Sequence, residues 1–182
     1  MSTVLHTDIE RVLLDAGTID QRVRELAAQI DADYADVPRV MLVGVLKGAF
    51  IFLSDLSRAM TVPHVVDFMS VSSYGMTASS GAVRIILDLR VPVQGEHVLL
   101  VEDIVDSGNT LHYLQQVLAS RGPASLRTCA LTRKIRPDTE VTAVDYLGFT
   151  IPDVWVVGYG LDYAERHRTL PYVGVLRPEA YQ

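Results

Sequence analysis

Two neighbouring carboxylates, Glu102 and Asp103, directly follow the apolar residues 98–101. Such an apolar run is typical of a strand that is buried on both faces of a parallel sheet. A turn of small and polar residues comes next, and Thr110 then begins an apolar helical pattern. A strand that leads through a small turn into a helix presents free backbone N–H groups to a phosphate. The stretch therefore predicts a phosphate cradle. Its members are Ser107, Gly108, Asn109 and Thr110.

An acidic pair beside a phosphate site needs a compensating group, because neighbouring negative charges repel each other. The two hydroxyls of a ribose, or a hydrated Mg²⁺ ion, could lie between the phosphate and the carboxylates of Glu102 and Asp103. The sequence contains neither the P-loop pattern nor the dinucleotide-binding pattern. The stretch is therefore interpreted as a ribose 5-phosphate site. The alternative, a pair of solvated carboxylates at a strand end, does not account for the turn that follows them.

The segment 101–111, VEDIVDSGNTL, resembles the phosphoribosyl pyrophosphate signature of type I phosphoribosyltransferases. The whole chain is similar to bacterial hypoxanthine-guanine phosphoribosyltransferases, with matching motifs between residues 46 and 168. The signature alone identifies only the superfamily. Lys134 and the segment 155–163 are the parts that point to 6-oxopurines.

The resemblance implies one domain, residues 1–182, with the type I phosphoribosyltransferase fold. This is an α/β fold in which helices flank a central, mainly parallel sheet. A small hood would be formed mainly by about residues 133–182 together with the N-terminal segment. The implied reaction belongs to purine salvage. It transfers the 5-phosphoribosyl group of phosphoribosyl pyrophosphate to hypoxanthine or guanine, giving IMP or GMP and pyrophosphate.

Asp106 lies in the turn before the predicted helix, where its carboxylate could take the N7 proton of a bound purine as general base. Position alone equally fits an N-cap or turn aspartate, and the resemblance favours catalysis. The resemblance also implies that Glu102 and Asp103 meet the ribose hydroxyls, directly or through Mg²⁺. Asp162 is a second candidate for contact with the metal and is also counted among the purine-binding residues.

Lys47 and Gly48 lie between a predicted strand and a predicted helix. The resemblance implies that both contact pyrophosphate, with Gly48 allowing a close approach of the backbone. Arg168 would be a further pyrophosphate cation, although a surface arginine is the simpler alternative. In the family, the peptide bond between the residues that match Leu46 and Lys47 can be cis.

The segment 73–81 is rich in small and polar residues and connects two predicted strands. It is interpreted as a lid that closes over the reacting sugar and excludes water, with Ser73 and Tyr74 at its root. The alternative is a plain hairpin connection. Many relatives carry a basic residue in this loop, whereas this sequence has none between Ser73 and Gly81.

Lys134 is the predicted specificity residue, because an ammonium group only donates hydrogen bonds and so suits a 6-oxo group. The 6-amino group of adenine is also a donor and would leave the lysine unpaired. The resemblance implies that Trp155 stacks on the purine and that the backbone of Val156 contacts the edge of the base. Without the resemblance, Trp155 would be interpreted as a core or interface residue. His112 and His167 show no partner pattern and are interpreted as structural.

The elements that would position these residues follow from apolar patterning. A capping box of Thr18 and Gln21 predicts a first helix, and further helices are predicted from Ala49 and from Thr110. Helices and strands alternate as far as Thr132, and only strands and loops follow. The predicted strands comprise residues 40–46, 62–72, 83–87, 98–101, 125–132, 144–147, 154–157 and 172–176.

Composition limits the classes of function. A chain of 182 residues suits one domain, and a net charge of −6 argues against a broad nucleic-acid or anionic-membrane surface. Cys129 is the single cysteine, so the chain cannot form an internal disulfide, and its side chain is expected to be buried in the core. A single free cysteine fits a protein that works in a reducing compartment. No signal peptide or membrane-length apolar run is apparent, so a cytoplasmic location is expected. The resemblance implies a homodimer or homotetramer.

Two alternative functions stay open at the level of the sequence. One is a phosphoribosyltransferase that prefers xanthine or another base, although Lys134 and Trp155 argue against a pyrimidine. The other is a non-catalytic, nucleic-acid-binding regulator with the same fold. The acidic net charge and the presence of Asp106 and Lys134 argue against a regulator.

Overall fold

The computed structural model describes residues 6–73, 83–136 and 143–181, which form nine strands and three α-helices. The strands are β1 (Ile9–Leu14), β2 (Val40–Leu46), β3 (His64–Ser73), β4 (Val83–Leu87), β5 (His97–Val105), β6 (Ser125–Lys134), β7 (Tyr146–Ile151), β8 (Val156–Val157) and β9 (Val173–Leu176). The helices are α1 (Ala16–Asp33), α2 (Phe50–Ala59) and α3 (Asn109–Ala119), and a short 3-10 turn lies at Pro178–Ala180.

Six strands form the central sheet in the order β4-β3-β2-β5-β6-β7. Neighbouring strands are parallel except for β3 and β4, which pair antiparallel at one edge. The strand order reverses between β2 and β5, because the chain extends the sheet on one side through β3 and on the other through β6. Open α/β sheets bind ligands at the carboxyl ends of the strands at such a switch point. The predicted α/β fold with a mainly parallel sheet is confirmed.

Strand β5 is longer than its apolar run predicts. Residues 102–105 continue the strand, because Ile104 pairs with Thr132 of β6. Glu102 and Asp103 therefore lie within the strand, and the prediction that they follow it is wrong. Their backbone is consequently fixed by the sheet rather than by a loop.

The three helices cover the two faces of the sheet. Successive residues of β2 alternate between the faces, so that Leu42 packs in the core formed with α1 and α2 and Met41 packs in the core formed with α3. Leu99 and Leu100 of β5 divide between the two cores in the same way. Cys129 is buried in the first core, as predicted. None of the described helices is both long enough and apolar enough to cross a membrane.

Helix α1 begins earlier than predicted. Asp15 is its N-cap and accepts a hydrogen bond from the backbone N–H of Thr18 at 3.0 Å. Thr18 lies in the first turn and donates its own hydroxyl to Asp15 at 2.7 Å, so the predicted capping box with Gln21 is wrong. The predicted buried face of this helix is confirmed. It comprises Ile19, Val23, Leu26, Ala27 and Ile30.

A second sheet of three antiparallel strands has the order β1-β9-β8. Strand β1 was not predicted, because its apolar residues are interrupted by Glu10 and Arg11. Ile9 of this strand packs on Val157 and Leu176 in a small separate core. The sheet thus joins the N-terminal segment to the C-terminal region, the two parts that were predicted to form a hood.

Candidate active site

A cavity of about 250 Å³ lies at the switch point, where β2 and β5 end. Its walls are the end of β2 with the loop that follows, the acidic end of β5 and the first turn of α3. Most of the residues predicted to hold a phosphorylated ribose line it. They are Glu102, Asp103, Asp106, Ser107, Gly108 and Thr110, and Gly48 lies opposite them. Asn109 begins α3 but is exposed and does not line the cavity.

Two carboxyl groups, of buried Glu102 and partly buried Asp103, lie side by side in this cavity. The side chain of Glu102 is 6% exposed, and burial followed by the charge of Asp103 raises its pKa well above the ordinary value. Burial also raises the pKa of Asp103 to about 6, although backbone hydrogen bonds and the guanidinium of Arg168 oppose the rise. Because their charged forms are poorly solvated, a cation at this position would stabilise both carboxylates.

The loop after β2 forms the opposite wall by a close approach of its backbone. A Cβ atom added to Gly48 would lie 1.8 Å from Oδ2 of Asp103, so only glycine fits there. Gly160 packs on the other side, where an added Cβ would lie 2.0 Å from the carbonyl oxygen of Gly48. The peptide bond between Leu46 and Lys47 is cis, the form that the resemblance allows for. This loop therefore lies directly against Asp103, and the proposed contact of Lys47 and Gly48 with pyrophosphate stays a prediction.

The first turn of α3 leaves its backbone donors open to a ligand. Gly108 is the N-cap residue and has a φ of 81°, a left-handed conformation that glycine adopts readily. Among the described side chains, none caps the helix with a hydrogen bond. The hydroxyl of Ser107 makes one long contact, 3.5 Å from the N–H of Asn109. An anion would complete the hydrogen bonds of this turn and interact favourably with the helix dipole.

Four charged side chains meet beside the cavity. The ammonium group of Lys134 lies 3.3 Å from Asp106 and 3.1 Å from Asp153. The guanidinium of Arg136 contacts the same two carboxylates, at 2.6 Å and 3.2 Å respectively. The side chain of Lys134 is only 9% exposed. A hydrogen bond from Lys134 holds the pKa of Asp153 below its ordinary range.

Arg136 and Asp153 were missed in the sequence. Arg136 follows β6 and Asp153 follows β7, and these two strands are parallel neighbours in the sheet. Their carboxyl ends lie on the same side of the sheet as the cavity. The signal that could have found Asp153 is its position two residues after an apolar strand of the parallel sheet. Pairing with Asp106 could not be read from the sequence, because it depends on the order of the strands.

Trp155 lies beside this charged cluster. Its side chain is 53% exposed, and its ring centroid lies 5.8 Å from Nζ of Lys134. Tyr163 packs against it edge-on and Tyr181 at a tilt, each with ring centroids 5.7 Å apart. Val156 is buried in β8. An exposed indole next to an ammonium group offers a surface on which a planar base can stack.

A second charged network lies at the loop between β8 and β9. Lys47 contacts Glu165 at 3.0 Å, and Arg168 contacts the same carboxylate at 3.2 Å. Arg168 also contacts Asp162 at 2.8 Å and donates a hydrogen bond to the carbonyl oxygen of Gly160 at 2.6 Å. Arg168 thus contacts Asp162, and Glu165, which was not predicted, links Arg168 to Lys47.

Comparison with known proteins is consistent with this geometry. The sequence profile of the phosphoribosyl transferase domain matches residues 12–164. A hypoxanthine-guanine phosphoribosyltransferase of Dictyostelium discoideum is 48% identical over 175 residues, which cover 94% of this chain and 97% of that protein. The chain belongs to the hypoxanthine-guanine phosphoribosyltransferase family. A member from Mycobacterium tuberculosis H37Rv is 51% identical over 183 residues, covering 96% of this chain and 90% of that protein.

Solved structures of family members have the same fold. The hypoxanthine phosphoribosyltransferase of Staphylococcus aureus superposes with a TM-score of 0.92 and 42% identity, covering 100% of this chain and 99% of that one. The Trypanosoma cruzi enzyme, in complex with the product IMP, gives a TM-score of 0.91 and 43% identity and covers 98% and 100% of the two chains. The predicted type I phosphoribosyltransferase fold is confirmed, and the protein is a transferase of this family.

One predicted part of the family's site cannot be placed. Tyr74 lies outside the described residues, and Ser73 is described only as the last backbone position of β3. The lid between residues 73 and 81 therefore stays a prediction.

Proposed function

We propose that the protein transfers the 5-phosphoribosyl group of phosphoribosyl pyrophosphate to hypoxanthine or guanine, forming IMP or GMP and pyrophosphate. The observation that carries the proposal is the 3.3 Å contact between Asp106 and Lys134 beside the phosphate cradle. N7 and the 6-oxo oxygen lie on the same edge of a purine. A general base and a hydrogen-bond donor that are this close together can therefore contact both atoms of one base.

Phosphoribosyl pyrophosphate would lie in the cavity with its 5-phosphate at the start of α3. Its 5-phosphate would accept hydrogen bonds from the backbone of residues 107–110 and from the hydroxyls of Ser107 and Thr110. The ribose hydroxyls would then reach Glu102 and Asp103, which line the same cavity. Carboxylates accept hydrogen bonds from hydroxyls, so this arrangement separates the acidic pair from the phosphate.

The base would stack on the exposed ring of Trp155 with its 6-oxo oxygen toward Lys134. The backbone of Val156, at the start of β8, would contact the other edge of the ring. The 6-amino group of an adenine in this position would face the ammonium group donor to donor, and the N–H of Lys134 that is turned toward the base would find no acceptor there, which costs roughly 1–3 kcal/mol. That free energy corresponds to a discrimination of about tenfold or more against adenine.

Asp106 would accept the N7 proton while the purine nitrogen attacks C1 of the sugar. In the structure its carboxylate is paired with Lys134 and Arg136, so the purine must replace at least one of these contacts. Lys134 can keep Asp153 as a partner when it turns to the 6-oxo oxygen. Lys134 and Arg136 therefore both remain near the base while its N7 proton is transferred to Asp106.

The acidic side chains near the cavity fit a bound Mg²⁺. Their oxygens are the ligands that Mg²⁺ prefers, and a bound cation would offset the burial that raises the pKa of Glu102 and of Asp103. Asp162 influences the pKa of Asp103 and could supply a third oxygen, directly or through water. When bound, Mg²⁺ would offset the negative charge that develops on pyrophosphate as it leaves.

The pyrophosphate would lie between the loop after β2 and the network around Arg168. Lys47 and Arg168 supply positive charge from two separate segments, and Gly48 allows its backbone N–H to approach closely. Both cations now contact Glu165, and a pyrophosphate group would compete with that carboxylate for them.

The proposal is tested by incubating the protein with Mg²⁺, phosphoribosyl pyrophosphate and one base at a time, and by following nucleotide formation. Hypoxanthine and guanine should react, and adenine should react at least about tenfold more slowly. Lys134→Ala should lower the rate and reduce this discrimination. Asp106→Asn should lower kcat about 10²-fold, the lower end for a positioned general base, and leave IMP binding largely intact.

Asp88→Asn is the matched control, because Asp88 also pairs with an arginine but lies away from the cavity. It should not change the rate or the base preference. Faster reaction of adenine than of hypoxanthine would contradict the role of Lys134. Preference for xanthine would instead favour a different base specificity on the same machinery.

We also propose that the chain acts as a single cytoplasmic domain that assembles into a homodimer or homotetramer. The buried, unpaired thiol of Cys129 suits a reducing compartment. Light scattering of the purified protein tests the assembly, and a monomer at micromolar concentration would contradict it.

A further inference from the structure

A cluster of two histidines and one aspartate lies outside the candidate active site. His6 and Asp8 directly precede β1, and His167 belongs to the loop between β8 and β9. The three side chains each offer one ligand atom, and these atoms lie within 4.8 Å of one another. Nε2 of His167 is 3.0 Å from Oδ2 of Asp8, and Nδ1 of His6 is 3.8 Å from the same oxygen. The two imidazole rings lie 4.6 Å apart at an angle of 70°.

The buried imidazole of His167 has an unsatisfied nitrogen. Its side chain is 6% exposed, and its Nε2 atom has no hydrogen-bond partner, because its approach to Asp8 lacks hydrogen-bond geometry. A buried polar atom without a hydrogen bond costs roughly 1–3 kcal/mol. Nδ1 of His6 accepts a hydrogen bond from the backbone N–H of Asp8 at 3.3 Å, and a metal bound at Nδ1 would take the place of this long hydrogen bond.

We propose that His6, Asp8 and His167 form a binding site for a divalent transition metal of the Zn²⁺ class. Imidazole nitrogens with one carboxylate are typical zinc ligands, and water would occupy the fourth position. Bonds of 2.0–2.2 Å in a tetrahedron place ligand atoms about 3.3–3.5 Å apart. The separations of 3.0 Å and 3.8 Å bracket this range, and the three ligand atoms lie within 4.8 Å of one another, so side-chain rotations that draw the two imidazole nitrogens together would complete the site. Mg²⁺ prefers oxygen ligands, so the carboxylate-rich cavity and this site would select different ions.

A metal at this position would tie the N-terminal segment to the loop that carries the proposed pyrophosphate residues. His167 is adjacent to Arg168, whose guanidinium contacts Asp162 and Gly160. Asp8 is held in turn by β9, because its carbonyl oxygen accepts a hydrogen bond from the N–H of Arg177. Zn²⁺ would therefore act as a clamp between β1 and this loop, and this role does not depend on the proposed enzymatic function.

The test is calorimetric titration of the metal-free protein with Zn²⁺ in the presence of excess Mg²⁺, which occupies the carboxylate cavity. We expect one Zn²⁺ per chain and a rise in Tm when it binds. His6→Ala should weaken Zn²⁺ binding at least about tenfold and remove the rise in Tm, and Asp8→Asn should do the same. His6 is half exposed, so its replacement should leave the fold intact. Absorption spectra of the Co²⁺-loaded protein would independently report a tetrahedral site with nitrogen ligands.

His64→Gln is the matched control, because His64 lies at the amino end of β3, at the opposite edge of the sheet from the cavity. It should bind Zn²⁺ as the unaltered protein does. Equal Zn²⁺ affinity of His6→Ala and the unaltered protein would overturn the proposal. So would loss of Zn²⁺ binding in Asp103→Asn alone, which would assign the ion to the cavity.

Discussion

At the scale of single residues, Lys134 is the side chain whose surroundings were least evident from the sequence. It contacts two carboxylates, and an incoming purine would take the place of only one of them. Asp153 would remain as its partner and hold the ammonium group toward the 6-oxo oxygen. Asp153 would thus be a positioning residue that acts on the base through Lys134.

Asp153→Asn is predicted to raise KM for hypoxanthine about three- to tenfold, because Lys134 loses a charged partner. The effect should not be larger, because Asp153 is partly exposed and solvent weakens the ion pair. The value of kcat should change less, since Asp106 is retained. Steady-state kinetics with varied hypoxanthine, at saturating phosphoribosyl pyrophosphate, measure both quantities.

Asp153→Glu is the conservative variant and should recover most of the lost affinity, which a general loss of structure would not permit. Asp88→Asn again serves as the control for an exposed carboxylate. If KM for the base is unchanged in Asp153→Asn, Asp153 does not position Lys134.

At the scale of elements, the loop between β8 and β9 shapes the proposed pyrophosphate site. Ala164, Glu165 and His167 have φ values of 50°, 62° and 70°, which are uncommon for residues other than glycine. These turns bring Glu165 back toward the loop after β2, where it contacts Lys47. Hydrogen bonds from Lys47 and Arg168 hold the pKa of Glu165 below its ordinary range. The carboxylate thus neutralises the two cations that pyrophosphate is proposed to contact.

Glu165→Gln is predicted to lower KM for phosphoribosyl pyrophosphate about two- to fivefold, the range expected when an exposed ion pair no longer competes. The hypoxanthine KM should not change, because Glu165 is not part of the cluster around Lys134. Glu96→Gln removes a carboxylate that pairs with Arg39 instead, and it should leave both constants unchanged. A higher KM for phosphoribosyl pyrophosphate in Glu165→Gln would mean that Glu165 orients the loop rather than competing with the substrate.

At the scale of the whole molecule, the buried acidic pair links stability to pH. Asp103 has an ordinary pKa of 3.8 that rises to about 6 in the folded protein, and the pKa of Glu102 is also raised. The folded state therefore binds protons at these groups more tightly than the unfolded chain. Stability must then increase as pH falls through the folded pKa values, until the ordinary values are reached. Carboxyl groups whose pKa is lowered in the folded protein, such as that of Asp88, stabilise the fold above their ordinary pKa. Their contribution to stability is lost as the pH falls below that value and through the lowered pKa.

The metal-free protein is therefore predicted to become more stable from pH 7.5 down to about pH 5 and less stable below about pH 4. Asp103→Asn should raise the free energy of unfolding at pH 7.5 by up to about 3 kcal/mol, since each pKa unit corresponds to ~1.4 kcal/mol. It should also flatten the dependence on pH. Urea denaturation across this pH range, with a chelator present, measures both effects. Stability that falls steadily from pH 7.5 to pH 5 would contradict the raised pKa values.

The contiguous part of the site was predictable from the sequence, because it is one strand, one turn and one helix start. Residues of one continuous segment stay close together whatever the position of the strand in the sheet, and Glu102 and Asp106 accordingly line one cavity. Lys47 lies where an apolar strand ends, and the resemblance to the family singled out both Lys47 and Lys134, the last residue of β6. Strand β1 and the start of α1 were missed, because β1 depends on pairing with β9 and the helix on a cap at Asp15.

The sequence by itself determined the α/β class and the strand, turn and helix start that we propose as the phosphate cradle, since these depend on interactions between neighbours along the chain. Only the tertiary structure decided which charges meet. Asp106 with Arg136, Lys134 with Asp153, Lys47 with Glu165 and Asp8 with His167 are contacts between distant segments. Their partners are chosen by the strand order and by the path of the loop after β8, and no local spacing in the chain encodes either.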